Sequence, residues 1–204
     1  MNSRISTKKV LKKPEAARYI GLVIFLCFLA GIFCANQIGS GQLGSFGIWN
    51  TYFIEKFKYA RIQSADLFYH VLKTRMPLLL FLLLLSMTGW GQTAGTVFLA
   101  WQGFAGGFLM TASVMAYGVK GILLILAAML PQYLLYIPIY LSYLSLASFW
   151  KTQVAMADGP RAGRMREYLL FASLCLCMVS VYLTGIFLES YTNPFLLKKI
   201  LKIF

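Results

Sequence analysis

Residues 76–150 read MPLLLFLLLLSMTGWGQTAGTVFLAWQGFAGGFLMTASVMAYGVKGILLILAAMLPQYLLYIPIYLSYLSLASFW, and Lys120 is the one charged residue among them. A run this long and this apolar cannot be solvated by water, so its solvent is lipid. It is also far too long for one crossing, since about 20 helical residues already cover the roughly 30 Å of hydrocarbon in a bilayer. Turns inside it must come from Gly, Pro and polar residues. Gly89-Trp90-Gly91-Gln92 is one such turn, with Trp90 at interface depth, and Tyr117-Gly118-Val119-Lys120 is another. These divide the run into spans over 76–90, 96–116 and 121–150.

The last of these is the odd one. Residues 121–150 would measure about 45 Å as a straight helix, and Pro131 divides them. Proline removes a backbone donor and its ring collides with the preceding turn. The piece before it is too short to cross alone. The expectation is therefore a half-helix dipping in from outside, a break at Pro131-Gln132, and a continuation from Tyr133, with Pro138 adding a second bend. Gln132 then caps the freed backbone, or it lines a substrate site of the kind transporters build at broken helices.

Outward from this core, residues 19–38 are free of charge and give the first span. The 1–18 tail before it carries Arg4, Lys8, Lys9, Lys12, Lys13 and Arg18 against Glu15, and is expected in the cytoplasm. Phe33 before Cys34 is too bulky for lipoprotein or signal-peptide processing, so the first span is expected to stay attached as an anchor. Residues 48–75 are too polar to cross. Trp49, Phe53, Phe57, Leu67, Phe68, Val71 and Leu72 recur at helical spacing there, which suggests an amphipathic helix on the outer surface or a helical hairpin capping the bundle. Residues 151–167 read as a polar loop and 168–188 as the last span. Pro194 is expected to start a short interfacial helix. The expected fold class is thus all-α: a multi-pass helical protein of the cell membrane, residues 19–204 forming one membrane domain of about five spans, one of them Pro-broken. Lys and Arg divide almost evenly between the two faces, so charge does not decide between five and six.

Composition agrees. The chain has 204 residues, 59% hydrophobic and 12% charged, with a net charge of +13, where a soluble domain carries about 25% charged residues. The basic residues flank apolar runs, where anionic lipid head groups supply counter-charge, which speaks against nucleic acid as the partner. Cys27, Cys34, Cys175 and Cys177 lie in or beside apolar runs without metal-ligand spacing. His70 stands without a second ligand nearby, no phosphate-cradling loop is present, and no nucleophile has an adjacent base. No cofactor, metal or catalytic residue is expected, and the chain does not read as an enzyme. The acids Glu15, Glu55, Asp66, Asp158, Glu167 and Glu189 all fall outside the expected spans, so no buried carboxylate relay is expected. Gly103 and Gly107, with Thr111 one turn on, form a small-residue seam that lets another helix approach closely, either inside the bundle or from a second copy of the chain.

Several segments together resemble the stage II sporulation protein M family. They are Gly-Ile-Leu-Leu-Ile-Leu-Ala-Ala-Met-Leu-Pro-Gln-Tyr-Leu-Leu-Tyr-Ile-Pro over 121–138, Ser-Ala-Asp-Leu-Phe over 64–68, Gly103-x-x-x-Gly107-Phe108, and Phe-Leu-Glu-Ser-Tyr-Thr-Asn-Pro over 187–194. The resemblance implies a membrane scaffold that holds two cell-wall degrading partners, stage II sporulation proteins D and P, at the septal membrane while the mother cell engulfs the forespore. Asp66 and Glu189, acids expected on the outer side, are candidate docking residues for such partners. The broken helix, Gln132 and the small-residue seam support a different function, a permease-like subunit working with a separate ATPase.

Overall fold

The computed structural model describes residues 13–39, 63–155 and 161–201. They form five α-helices: α1 (Lys13–Ile38), α2 (Ser64–Ser86), α3 (Gly91–Tyr117), α4 (Val119–Ala155) and α5 (Arg161–Leu201). There is no strand among the described residues. All five helices are long and apolar enough to cross a bilayer, so the chain is an all-α, multi-pass membrane protein.

Helix ends fall where backbone chemistry permits them. Gly39 takes φ +75° just past α1, and its amide donates to Ala35 O, the left-handed stop that glycine makes at little steric cost. Gly118 carries φ +59° and ψ −139° between α3 and α4. That conformation is close to glycine-only territory, and it lets α4 begin at the next residue. Between α2 and α3 the turn is just as short. Thr88 Oγ1 donates to Leu85 O, while Met87 and Thr88 amides reach Leu84 O and Leu85 O, so the last carbonyls of α2 are used before the chain reverses.

Packing runs through small residues. On α1, Gly31 lies against the Phe104 carbonyl and Phe108 amide of α3. On α3, Gly103 lies 2.8 Å, measured from where a Cβ would stand, from Ile24 O, and Gly107 lies against Phe28 O. The seam is therefore internal: it seats α1, running parallel to α3, with Ala35 fully buried nearby. Thr111 adds no interhelical bond; its hydroxyl donates to Gly107 O one turn back, at 3.0 Å. On its other side α3 receives α4, with Tyr143 and Leu144 against Gly95. α4 packs antiparallel on α5, and α2 lies chiefly on α5. The core between them is aromatic, with Tyr136, Tyr140, Tyr143, Tyr182, Trp150 and Phe171 buried together with Leu79, Leu82 and Leu83.

Four expectations need correction. First, residues 64–75 of the expected surface helix belong to the second span. Residues 40–62 lie outside the described residues, but Ser64 onward already belongs to α2, which continues through Pro77 to Ser86. Residues 64–75 add about three turns to the short span expected over 76–90. Second, α4 is not broken. It passes through both Pro131 and Pro138 as one helix, long enough at about 55 Å to cross the bilayer obliquely. Interrupting a helix in lipid would leave several carbonyls and amides unpaired, each at several kcal/mol, whereas running through a proline forfeits about one bond. Third, residues 151–155 and 161–167 of the expected loop are helical, since α4 extends to Ala155 and α5 begins at Arg161. Fourth, Pro194 does not start a separate helix; α5 runs through it to Leu201.

Candidate intramembrane polar site

Once α2 and α5 are extended, two oppositely charged residues fall well inside the helices rather than at their ends: Arg75 of Ser64–Ser86 and Glu189 of Tyr168–Ile200. They meet. Arg75 Nη2 donates to Glu189 Oε1 at 2.7 Å, with side chains 28% and 14% exposed. Tyr136 of α4 donates its hydroxyl to the other carboxylate oxygen, Glu189 Oε2, at 2.8 Å. The Arg75 guanidinium also stands 5.4 Å from the centre of the Tyr136 ring, within range of a cation–π attraction. One carboxylate thus ties three helices together, α2, α4 and α5.

The depth of this knot follows from helix rise. Trp150 Nε1 donates to Met87 O, which fixes a tier at the turn between α2 and α3, near the exposed Trp90. Tryptophans collect at membrane interfaces. From that tier, Arg75 lies about 18 Å along α2 and Tyr136 about 21 Å along α4. The knot therefore sits inside the hydrocarbon zone, nearer the face where α2 begins. A lone charge there is costly, and pairing with hydrogen bonds to the remaining lone pairs is what makes it tolerable.

The knot belongs to a longer column of polar side chains along α4 and α5. One turn of α4 below it, Tyr140 and Tyr182 share a hydroxyl–hydroxyl bond of 3.1 Å. One turn above it, Gln132 Nε2 donates to Ala128 O at 2.7 Å, and Asn193 Nδ2 donates both to Ala128 O, at 2.8 Å, and to Gln132 Oε1. These amides lie beside Pro131. The proline cannot donate to Ala127 O, and the side-chain amides bond the neighbouring carbonyl, Ala128 O. Tyr133 reaches sideways to Gln102 of α3 at 3.3 Å. At the top of the column Asn193 Oδ1 is buried without a hydrogen-bond partner.

The candidate residues of the sequence reading separate accordingly. Pro131 and Gln132 belong to the column, whereas Pro138 is an exposed position on α4. Gly103, Gly107 and Thr111 belong to the α1 seam. Glu189 is not offered to the outside but held inside the bundle, and this corrects its assignment as a docking residue. Asp66 is exposed in the first turn of α2, nine residues and about 13 Å from Arg75, so it does not share a surface with Glu189. The sequence reading missed Arg75, Tyr136, Tyr140, Tyr182 and Asn193. Their signal was present: Gln132, Tyr136, Tyr140 and Tyr143 recur every three or four residues on α4, and Glu189 and Asn193 are one turn apart.

Among the described residues no group of three or more His, Cys, Asp or Glu side chains is placed to hold a metal ion. No family model, curated protein or solved structure matches the chain.

Proposed function

We propose that this chain is a membrane scaffold or anchor subunit that acts through its fold and its surfaces rather than through chemistry of its own. The observation that carries the reading is the mutual engagement of the polar groups inside the spans. Arg75, Glu189 and Tyr136 use one another, and Gln132 and Asn193 engage one another and a backbone carbonyl. Such a column fixes helices in register. The glycine seam does the same for α1 and α3. Together they suit a platform whose core helices are held in register.

The finer reading rests on the resemblance to the stage II sporulation protein M family. On that reading the chain sits in the septal membrane of a spore-forming cell and recruits extracytoplasmic peptidoglycan hydrolases, stage II sporulation proteins D and P, for engulfment. The permease reading rests on an interrupted fourth helix, Gln132 and the small-residue seam. A continuous α4, a bonded Gln132 and a seam that seats α1 support the scaffold reading better.

Crosslinking in sporulating cells, followed by purification of the tagged chain and mass spectrometry, tests the proposal. Recovery of cell-wall hydrolases, together with arrest of engulfment when the chain is depleted, is the expected result. Recovery of an ATPase without hydrolases would overturn it in favour of transport.

A further inference from the structure

Burial along α2 is uneven. Its buried residues, Leu79, Leu82, Leu83 and Ser86, all follow Pro77. Before Pro77 none is buried, and Leu67, Phe68, Val71, Leu72 and Met76 are only half covered. The half after Pro77 is thus part of the core, and the half before it is laid against the bundle. Pro77 itself cannot donate to Lys73 O, so the helix lacks one bond at the boundary and bends there at reduced cost. Arg75 stands two residues before this point and is ion-paired to Glu189.

We propose that Arg75 and Glu189 form a latch that closes a hinged arm. The arm is residues 64–76, the hinge is Pro77, and the seat is the part of α5 around Glu189. Phe68, Val71, Leu72 and Met76 pack against the core while staying only partly buried, and the ion pair adds a charged attachment beside the hinge. The direction of release follows from electrostatics. If Glu189 no longer carries charge, Arg75 remains a cation in a low-dielectric zone, and the favourable response is to move its guanidinium to the head-group region. Its helix can follow because Pro77 lets the arm turn while Leu79, Leu82 and Leu83 stay packed. A packed interface with two arrangements, pivoting on a few residues, is the ordinary construction of a hinge. The inference stands independently of the scaffold reading, since it concerns how the chain moves and not what it binds.

Distance measurements between spin labels on the full chain in lipid nanodiscs test it. In a background with Cys27, Cys34, Cys175 and Cys177 replaced, labels at Tyr69 and Phe195 report on the arm, and labels at Leu84 and Leu176 report on the core half; all four positions are exposed. With Glu189→Gln, the Tyr69–Phe195 distribution should shift and broaden about twofold while Leu84–Leu176 stays as in the parent, as expected of local hinge motion. Adding Pro77→Ala should narrow the arm distribution again, and the charge exchange Arg75→Glu/Glu189→Arg should restore it. An unchanged arm distance in Glu189→Gln would overturn the latch. Equal broadening of both pairs would overturn it too, as a general loosening of the bundle, and no response to Pro77→Ala would overturn the hinge.

Discussion

Tyr136 and Glu189 are joined twice over in purpose: the tyrosine hydroxyl donates to Glu189 Oε2 at 2.8 Å, and the tyrosine ring lies 5.4 Å from the arginine that holds Glu189 Oε1. One side chain of α4 therefore both completes the hydration lost by the carboxylate and faces the counter-cation. Gly185 makes room for it, since a Cβ there would stand 2.6 Å from the Tyr136 ring. The arrangement depends on three helices and on one glycine, and it converts two unfavourable charges into a fixed point of the fold.

Breaking this point on one side should cost more than removing it. Arg75→Met leaves Glu189 charged and half-paired, and is expected to lower stability by about 3–5 kcal/mol. The double variant Arg75→Met/Glu189→Met removes both charges and should recover most of that loss. Tyr136→Phe removes one bond to a charged group and should cost roughly 1.5–3 kcal/mol. Reversible unfolding in mixed micelles measures all three. A double variant as unstable as Arg75→Met would contradict the account.

The α1 seam makes a positional prediction. At Gly107 a new Cβ would collide with the Phe28 carbonyl, whereas at Gly106, its neighbour, nothing lies within 4 Å. Gly107→Val should therefore push α1 off α3, and Gly106→Ala should be tolerated. Because backbone cannot yield as a flexible side chain does, Gly107→Val is expected to cost at least the 1–3 kcal/mol typical of overpacking. Proteolysis of detergent-solubilised protein is a suitable readout, with faster cleavage expected for Gly107→Val alone. Equal cleavage of the two variants would count against an internal seam.

At the top of the polar column, Gln132→Leu removes the acceptor and donor that Asn193 and Ala128 O use. Stranded buried amide groups cost about 1–3 kcal/mol each. Pro131→Ala should do the opposite. It restores a donor to Ala127 O in a helix that is already continuous, so stability is expected to hold or rise. Thermal denaturation of both variants checks the pair of signs, and a destabilised Pro131→Ala with an unaffected Gln132→Leu would reverse the assignment.

The five crossings were legible because apolar length is a property of the sequence itself. Trp90, Gly91 and Gly118 mark turns that the structure places within a residue or two. The seam of Gly103 and Gly107 was also legible, though not its partner, since Gly31 lies far away in the chain. Two things were hidden. Pro131 and Pro194 carry strong local signals for a break, and lipid overrides them by penalising unpaired backbone more than one missing bond. The ion pair was hidden because Arg75 and Glu189 sit where an apolar run ends on paper. Each looks like a boundary residue until its partner is known, and the partner is 114 positions away.

Asp66 remains the residue through which docking can be tested without disturbing the fold. It is exposed, and it lies in the first turn of α2, where a negative charge opposes the positive end of the helix dipole. Asp66→Lys should cost no more than about 0.3–1 kcal/mol from that loss. Glu189 cannot serve for the same purpose, because Glu189→Lys would set two cations against each other beside Tyr136. If the chain holds extracytoplasmic hydrolases through the start of α2, a reversed charge there faces the complementary charge of the partner, and like charges across an interface are costly. Membrane abundance of Asp66→Lys should match the parent, while co-purification of the hydrolases should fall severalfold and fall more steeply at low salt, where screening is weakest. Parental recovery at both salt concentrations would remove Asp66 from the docking surface and leave it as a helix-start residue.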